Sequence, residues 1–149
     1  MEDAMTQEEY AKKIADAGIR PSVQRLAIFR YLSESREHPT VDMVYRALSP
    51  QFPSFSRTTV YNTLKTFIAH KLINEVTIAD DEARFDADLS NHFHFKCNQC
   101  GKIEDVKDSL LPDLERYCAS AIPDGAQFDR LQVNVWGLCA ECAKKAQNR

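Results

Sequence analysis

Residues 92–105, His-Phe-His-Phe-Lys-Cys-Asn-Gln-Cys-Gly-Lys-Ile-Glu-Asp, put two kinds of metal-ligand chemistry into fourteen positions. On an extended strand residues i and i+2 share a face, so His92 and His94 stand together and Phe93 and Phe95 point the other way. Cys97 and Cys100 follow in a Cys-x-x-Cys-Gly turn, where Gly101 allows a tight reversal. A second strand over 103–106 then carries Asp105 back towards the histidines. One hairpin therefore offers half of a thiolate site at its tip and an imidazole–carboxylate group on its flank.

The second half of the thiolate site is Cys139-x-x-Cys142. Four thiolates in two Cys-x-x-Cys pairs suit tetrahedral Zn2+, and a closed site of this kind contributes to folding. The gap over 101–138 exceeds the usual zinc-ribbon spacing, so the pairing rests on the duplication itself. A redox disulfide pair and an iron–sulfur-type site use the same residue types. The fifth cysteine, Cys118, lies on an apolar helical face and reads as a plain buried thiol. Of the four histidines, His70 stands alone near the end of a helix, as a surface or capping residue. His92 and His94, with Asp86, Asp88 and Asp105 near them, suit Fe2+, Mn2+ or Zn2+; the alternative is a solvated polar strand face. Spacing does not recruit His38 to them.

The chain of 149 residues fits one medium domain or two small ones. No apolar run approaches a membrane span, and the acidic, polar start over 1–7 does not resemble a signal peptide. Paired cysteines outside a disulfide pattern point to a reducing, cytoplasmic setting. Net charge is −3 and the pI about 5.8, which counts against nucleic-acid binding. The charge is uneven, however, at +1 over 1–79 and −4 over 80–149, leaving room for a local basic face in the first half.

That first half reads as helices. Apolar spacing marks 10–17, closed by Gly18. A second helix follows Pro21, taken as a first-turn residue, and runs to about 35. A third begins at the N-cap Thr40, and a fourth spans 57–71 from the N-cap Ser56. Val60, Leu64, Phe67 and Ile68 form the apolar stripe of the fourth. Arg57, Thr58, Thr59, Tyr61, Asn62 and Lys65 occupy its other face, and these side chains suit phosphates and base edges. Extended segments over 72–79 and 83–86, joined by a turn at Asp80-Asp81-Glu82, complete a winged helix-turn-helix. In the second half, a helix over 109–122 carries Leu110, Leu111, Leu114, Tyr117, Cys118 and Ile122 on its apolar side. An extended run over 128–138 and a polar tail over 143–148 follow. A core this small is helped by dimerisation through a strand edge. No acid/base or nucleophile constellation suggests an enzyme. A rubredoxin-like electron carrier or a metalloenzyme is the rival class.

Several motifs now occur in one order: Gln24-Arg25-x-x-Ile28, His38-Pro39-Thr40, Thr59-Val60-Tyr61-Asn62-x-Leu64, Arg84-Phe85-Asp86, His92-x-His94, Cys97-x-x-Cys100-Gly101-Lys102 and Cys139-x-x-Cys142. In this the chain resembles the ferric uptake regulator family over nearly its whole length, and most closely the peroxide-stress branch. The resemblance implies an α+β protein: a winged helix-turn-helix domain over 1–84, then a small α/β dimerisation and metal-binding domain over 85–149 with a four-cysteine zinc site. It implies structural Zn2+ on Cys97, Cys100, Cys139 and Cys142, and regulatory Fe2+ or Mn2+ on His38, Asp86, His92, His94 and Asp105. Asp105 and Asn62 are similar to the peroxide-sensing branch, where iron-uptake regulators commonly have Glu and Arg. His38 and His92 are then the oxidation-sensitive ligands. The partners implied are a second copy of the chain and palindromic double-stranded operator DNA. A metal-uptake repressor of the same family is the nearest rival. Departures from the family pattern are Pro21-Ser22-Val23 ahead of Gln24 and Asn91 at a commonly acidic position.

Overall fold

Each of the first four helices starts on a hydroxyl side chain that accepts a hydrogen bond from the backbone N–H three residues on. The pairs are Thr6–Glu9, Ser22–Arg25, Thr40–Met43 and Ser56–Thr59, and each satisfies a donor that the helix itself cannot. The computed structural model describes residues 4–78 and 82–148. They divide into two compact units between Leu89 and Ser90.

In the first unit α1 (Gln7–Asp16), α2 (Val23–Glu34), α3 (Val41–Leu48) and α4 (Arg57–Ala69) precede β1 (Asn74–Val76) and β2 (Arg84–Asp86). The two strands pair antiparallel, with Glu75 opposite Phe85. The core is built from the predicted stripes. Val60, Leu64 and Phe67 of α4 are buried with Ile14, Ile28, Leu32 and Val44. The Phe29 ring sits edge-on between Tyr10 and Phe67, 5.9 Å from each, a favoured aromatic geometry. Helices followed by an antiparallel pair give the winged helix-turn-helix order expected.

The second unit contains β3 (Phe93–Cys97), β4 (Ile103–Val106), α5 (Leu111–Ala121), β5 (Asn134–Gly137) and α6 (Ala140–Gln147). Its sheet has the order β4-β3-β5, antiparallel on one side and parallel on the other. The parallel pair needs a crossover, and the segment carrying α5 supplies it. Gly101 at φ +75° closes the β3–β4 turn, with its N–H bonded to the Cys97 carbonyl at 2.9 Å. Among the described residues no helix is long and apolar enough to cross a membrane.

Several expectations change. Pro21 precedes the N-cap Ser22 and is not in the first turn of α2. α1 begins three residues early, on a Thr6–Glu9 capping box. α4 ends at Ala69, and Lys71 takes φ +56°. Because β2 pairs with β1, residues 85–89 belong with the first unit and not with the second. The extended run over 128–138 forms a strand only at Asn134–Gly137, and the polar tail is the helix α6. On α5 only Leu111 is buried; Leu110, Leu114 and Tyr117 are exposed and Cys118 is half-buried. Ala79, Asp80 and Asp81 of the expected strand end and turn, and Met1 to Asp3 of the polar start, lie outside the described residues.

Candidate metal sites and reading helix

The end of β3 and the start of α6 bring the four cysteines together. Cys97 is the last residue of β3, Cys100 lies in the turn, Cys139 is the N-cap of α6 and Cys142 is in its first turn. Their Sγ atoms all lie within 4.8 Å of one another, with Cys100 and Cys139 at 3.8 Å. Thiolates bound to one Zn2+ at about 2.3 Å have a tetrahedral edge of about 3.8 Å, so the cluster fits a zinc ion. The backbone N–H groups of Cys100 and Cys139 pull the Cys97 thiol down to about 6, by favouring its thiolate. The Cys142 thiol moves the other way, up to about 12, through its hydrogen bond to the Cys139 sulfur and through burial. Sulfurs this close resist ionising together, and a dication among them removes that conflict.

The histidines and acids form two groups, one in each unit. In the first, His38 Nε2 lies 3.3 Å from Asp86 Oδ2, and the imidazole side chain is 3% exposed. His38 has φ +50°. The other carboxylate oxygen, Asp86 Oδ1, accepts the N–H of Asp88 at 2.8 Å, so Asp88 supports Asp86 through its backbone. In the second unit the β3–β4 register sets His94 opposite Asp105. Asp105 Oδ1 is 3.5 Å from His94 Nε2 and 3.7 Å from His92 Nε2, and the two Nε2 atoms are 3.1 Å apart. Neighbouring donors bound at about 2.1 Å to one six-coordinate ion stand about 3.0 Å apart. Both groups are close to that spacing. His92 Nδ1 lies 2.7 Å from the Ser90 carbonyl. A carbonyl only accepts, so that nitrogen carries the proton and Nε2 presents its lone pair inward. Sequence reading gives Ser90 no part in this, because a backbone acceptor leaves no residue-type signal.

On α4, Arg57, Thr58, Tyr61, Asn62 and Lys65 are exposed and Thr59 is partly buried. Thr59 Oγ1 lies 3.0 Å from the capping Ser56 hydroxyl, which engages it locally. Arg57 bonds Asp42 on α3 at 2.8 Å and stacks over the Tyr45 ring at 4.4 Å. Lys65 Nζ lies 5.6 Å from the Tyr61 ring centroid. His70, expected as a surface or capping residue, is the C-cap of α4.

Residues 16–129 match the family model described as the ferric uptake regulator family. The chain belongs to the ferric uptake regulator family. It is 41% identical over 138 residues to a peroxide-responsive repressor of Staphylococcus aureus strain Mu50, covering 93% of this chain and 92% of that repressor. The structure is similar to that of the Campylobacter jejuni peroxide stress regulator, with TM-score 0.69 and 27% identity over 93% of this chain and 99% of that one. The Helicobacter pylori ferric uptake regulator shares the fold, with TM-score 0.73 and 20% identity over 96% of this chain and 97% of that one. In this member of the family, the four-cysteine cluster fits a structural zinc and the histidine–aspartate groups fit a regulatory divalent ion. The chain thus combines an α+β architecture with two regions that fit metal ions, and is 41% identical to a peroxide-responsive repressor.

Proposed function

We propose that this protein is a cytoplasmic, metal-dependent, homodimeric transcriptional repressor that releases palindromic operator DNA when hydrogen peroxide oxidises a ligand histidine. The observation that carries the reading is the three-donor cluster of His92, His94 and Asp105, in a chain 41% identical to a peroxide-responsive repressor. His38 and Asp86 from the first unit complete the ligand set. His38 lies two residues before Thr40, the cap of α3. A ligand set drawn from both units makes ion binding and placement of the reading head a single event, and the ion favours the closed state. Cys97, Cys100, Cys139 and Cys142 hold zinc and keep the second unit folded.

Fe2+, when bound, supplies the reducing chemistry that activates peroxide. The chain contributes the oxidisable groups, the imidazoles of His38 and His92. Insertion of one oxygen atom into an imidazole, with the other leaving as water, gives 2-oxo-histidine and spoils that ligand. With Mn2+ the same residues close the clamp without being consumed. Arg57, Thr58, Thr59, Tyr61, Asn62 and Lys65 of α4 face the DNA, with the N-terminal end of the helix towards base edges.

The second copy is expected on the exposed apolar face of the second unit. Leu110 at the cap of α5, Leu114 and Tyr117 of α5 and Val135 of β5 are exposed in the single chain, and β5 is an edge strand. A two-fold dimer matches a palindromic site. A gel shift on a palindromic operator tests the whole reading. Fe2+ and Mn2+ should both support binding, and peroxide should abolish only the Fe2+ complex. Metal-dependent binding indifferent to peroxide would leave a metal-uptake repressor instead.

A further inference from the structure

The turn before α3 holds a residue in a conformation it does not favour. His38 has φ +50°, uncommon for a residue with a side chain, and it precedes Pro39, which biases its neighbour towards extended geometry. Such conformations persist where surrounding contacts over-determine them. Here strand β2 supplies the contacts. Arg84 Nη1 lies 3.3 Å from the Glu37 carbonyl and 3.3 Å from the His38 carbonyl, with Met43 Sδ at 3.9 Å. Phe85 donates its backbone N–H to the Pro39 carbonyl at 3.1 Å. Asp86 sets its carboxylate beside the His38 imidazole. Three consecutive strand residues thus hold three consecutive residues of the turn.

The guanidinium is also unusual in itself. Its Nε is buried without a hydrogen-bond partner, a costly arrangement for a polar group. A cation two residues from Asp86 does nothing electrostatically to attract a second cation, so its contribution there is geometric. We propose that Arg84 is a positioning residue for the regulatory ion: by fixing the carbonyls of Glu37 and His38, it presents His38 Nε2 beside Asp86 before the ion arrives. This rests on the reading of His38 and Asp86 as ligands. Lysine keeps the charge but lacks the planar fork that reaches two acceptors in fixed directions.

The test is Mn2+ binding to the zinc-loaded full chain, followed by electron paramagnetic resonance of free Mn2+, for wild type, R84A, R84K, H38A and R84A/H38A. R84A should weaken Mn2+ binding about ten- to a hundredfold, the usual range for residues that orient ligands, and R84K should fall between it and wild type. In the H38A background R84A should cost nothing further. In the metal-free protein, R84A should speed amide hydrogen exchange at Phe85. Wild-type affinity in R84A, or an equal loss with His38 present or absent, overturns the assignment. Should R84A fail to melt cooperatively, R84K carries the same comparison with about a tenfold loss expected. Wild-type Mn2+ affinity in H38A removes the ligand reading, and the role of Arg84 with it.

Discussion

Removing the zinc site should unfold the second unit and spare the first. The perturbation is Cys100→Ser, or a strong chelator on the wild type. Apart from the cysteines, the buried apolar side chains described in the second unit are Ile103 and Leu111. At about 1.5–3 kcal/mol each, they supply roughly 3–6 kcal/mol. A structural zinc contributes about 10–16 kcal/mol, more than those two side chains together. The first unit keeps a continuous core from Tyr10 to Phe85. Helices α1–α4 hold 43 residues and α5–α6 hold 19, so the helical circular-dichroism signal should fall by about three-tenths. Trp136 on β5 is the only tryptophan, and its fluorescence should lose its cooperative melting transition while the remaining helical signal still melts cooperatively. A chelated chain that keeps its full helical signal and a sharp Trp136 transition would refute a zinc-dependent fold.

Phe67→Ala deletes a fully buried ring from the first unit and should cost about 3–5 kcal/mol, read by denaturant unfolding, with the zinc content unchanged. Gly137→Ala would place a Cβ 3.1 Å from the Phe95 ring; it should destabilise the second unit by about 1–3 kcal/mol, and Phe95→Leu in the same chain should recover part of that in a Trp136 melt. Leu114→Arg puts a charge on the exposed apolar face of α5 and should shift the chain to monomer in sedimentation, leaving its zinc content intact.

The elements that can be read from sequence are those where two signals coincide. Thr40 and Ser56 cap α3 and α4 directly ahead of apolar stripes, and both starts fall on the expected residue. The β3–β4 hairpin is equally legible, because Gly101 and the alternation on either side specify one register. Pro21 misleads because proline suits both the first turn and the residue before a cap. The helix α6 is masked by its polarity, although Ala140, Glu141, Ala143, Lys144 and Lys145 are strong helix formers. The run over 128–138 looks like one strand because the pattern does not say where the partner strand ends; β3 offers pairing only as far as Asn134–Gly137. On α5 the stripe is visible but not its destination: Leu114 and Tyr117 are exposed in the single chain, and a face proposed to meet a second copy has the composition of a core. His38 stands far in sequence from the other candidate ligands, and only the family resemblance brings it forward.

Peroxide treatment of the Fe2+-loaded, zinc-intact protein, followed by peptide mass spectrometry, tests the sensing claim most directly. One added oxygen is predicted on the peptide bearing His38 or His92, with none in the Mn2+-loaded control and with release of DNA tracking the modified fraction. Peptides that stay unmodified while the operator is released, or oxygen confined to the cysteines, would contradict a histidine-based sensor.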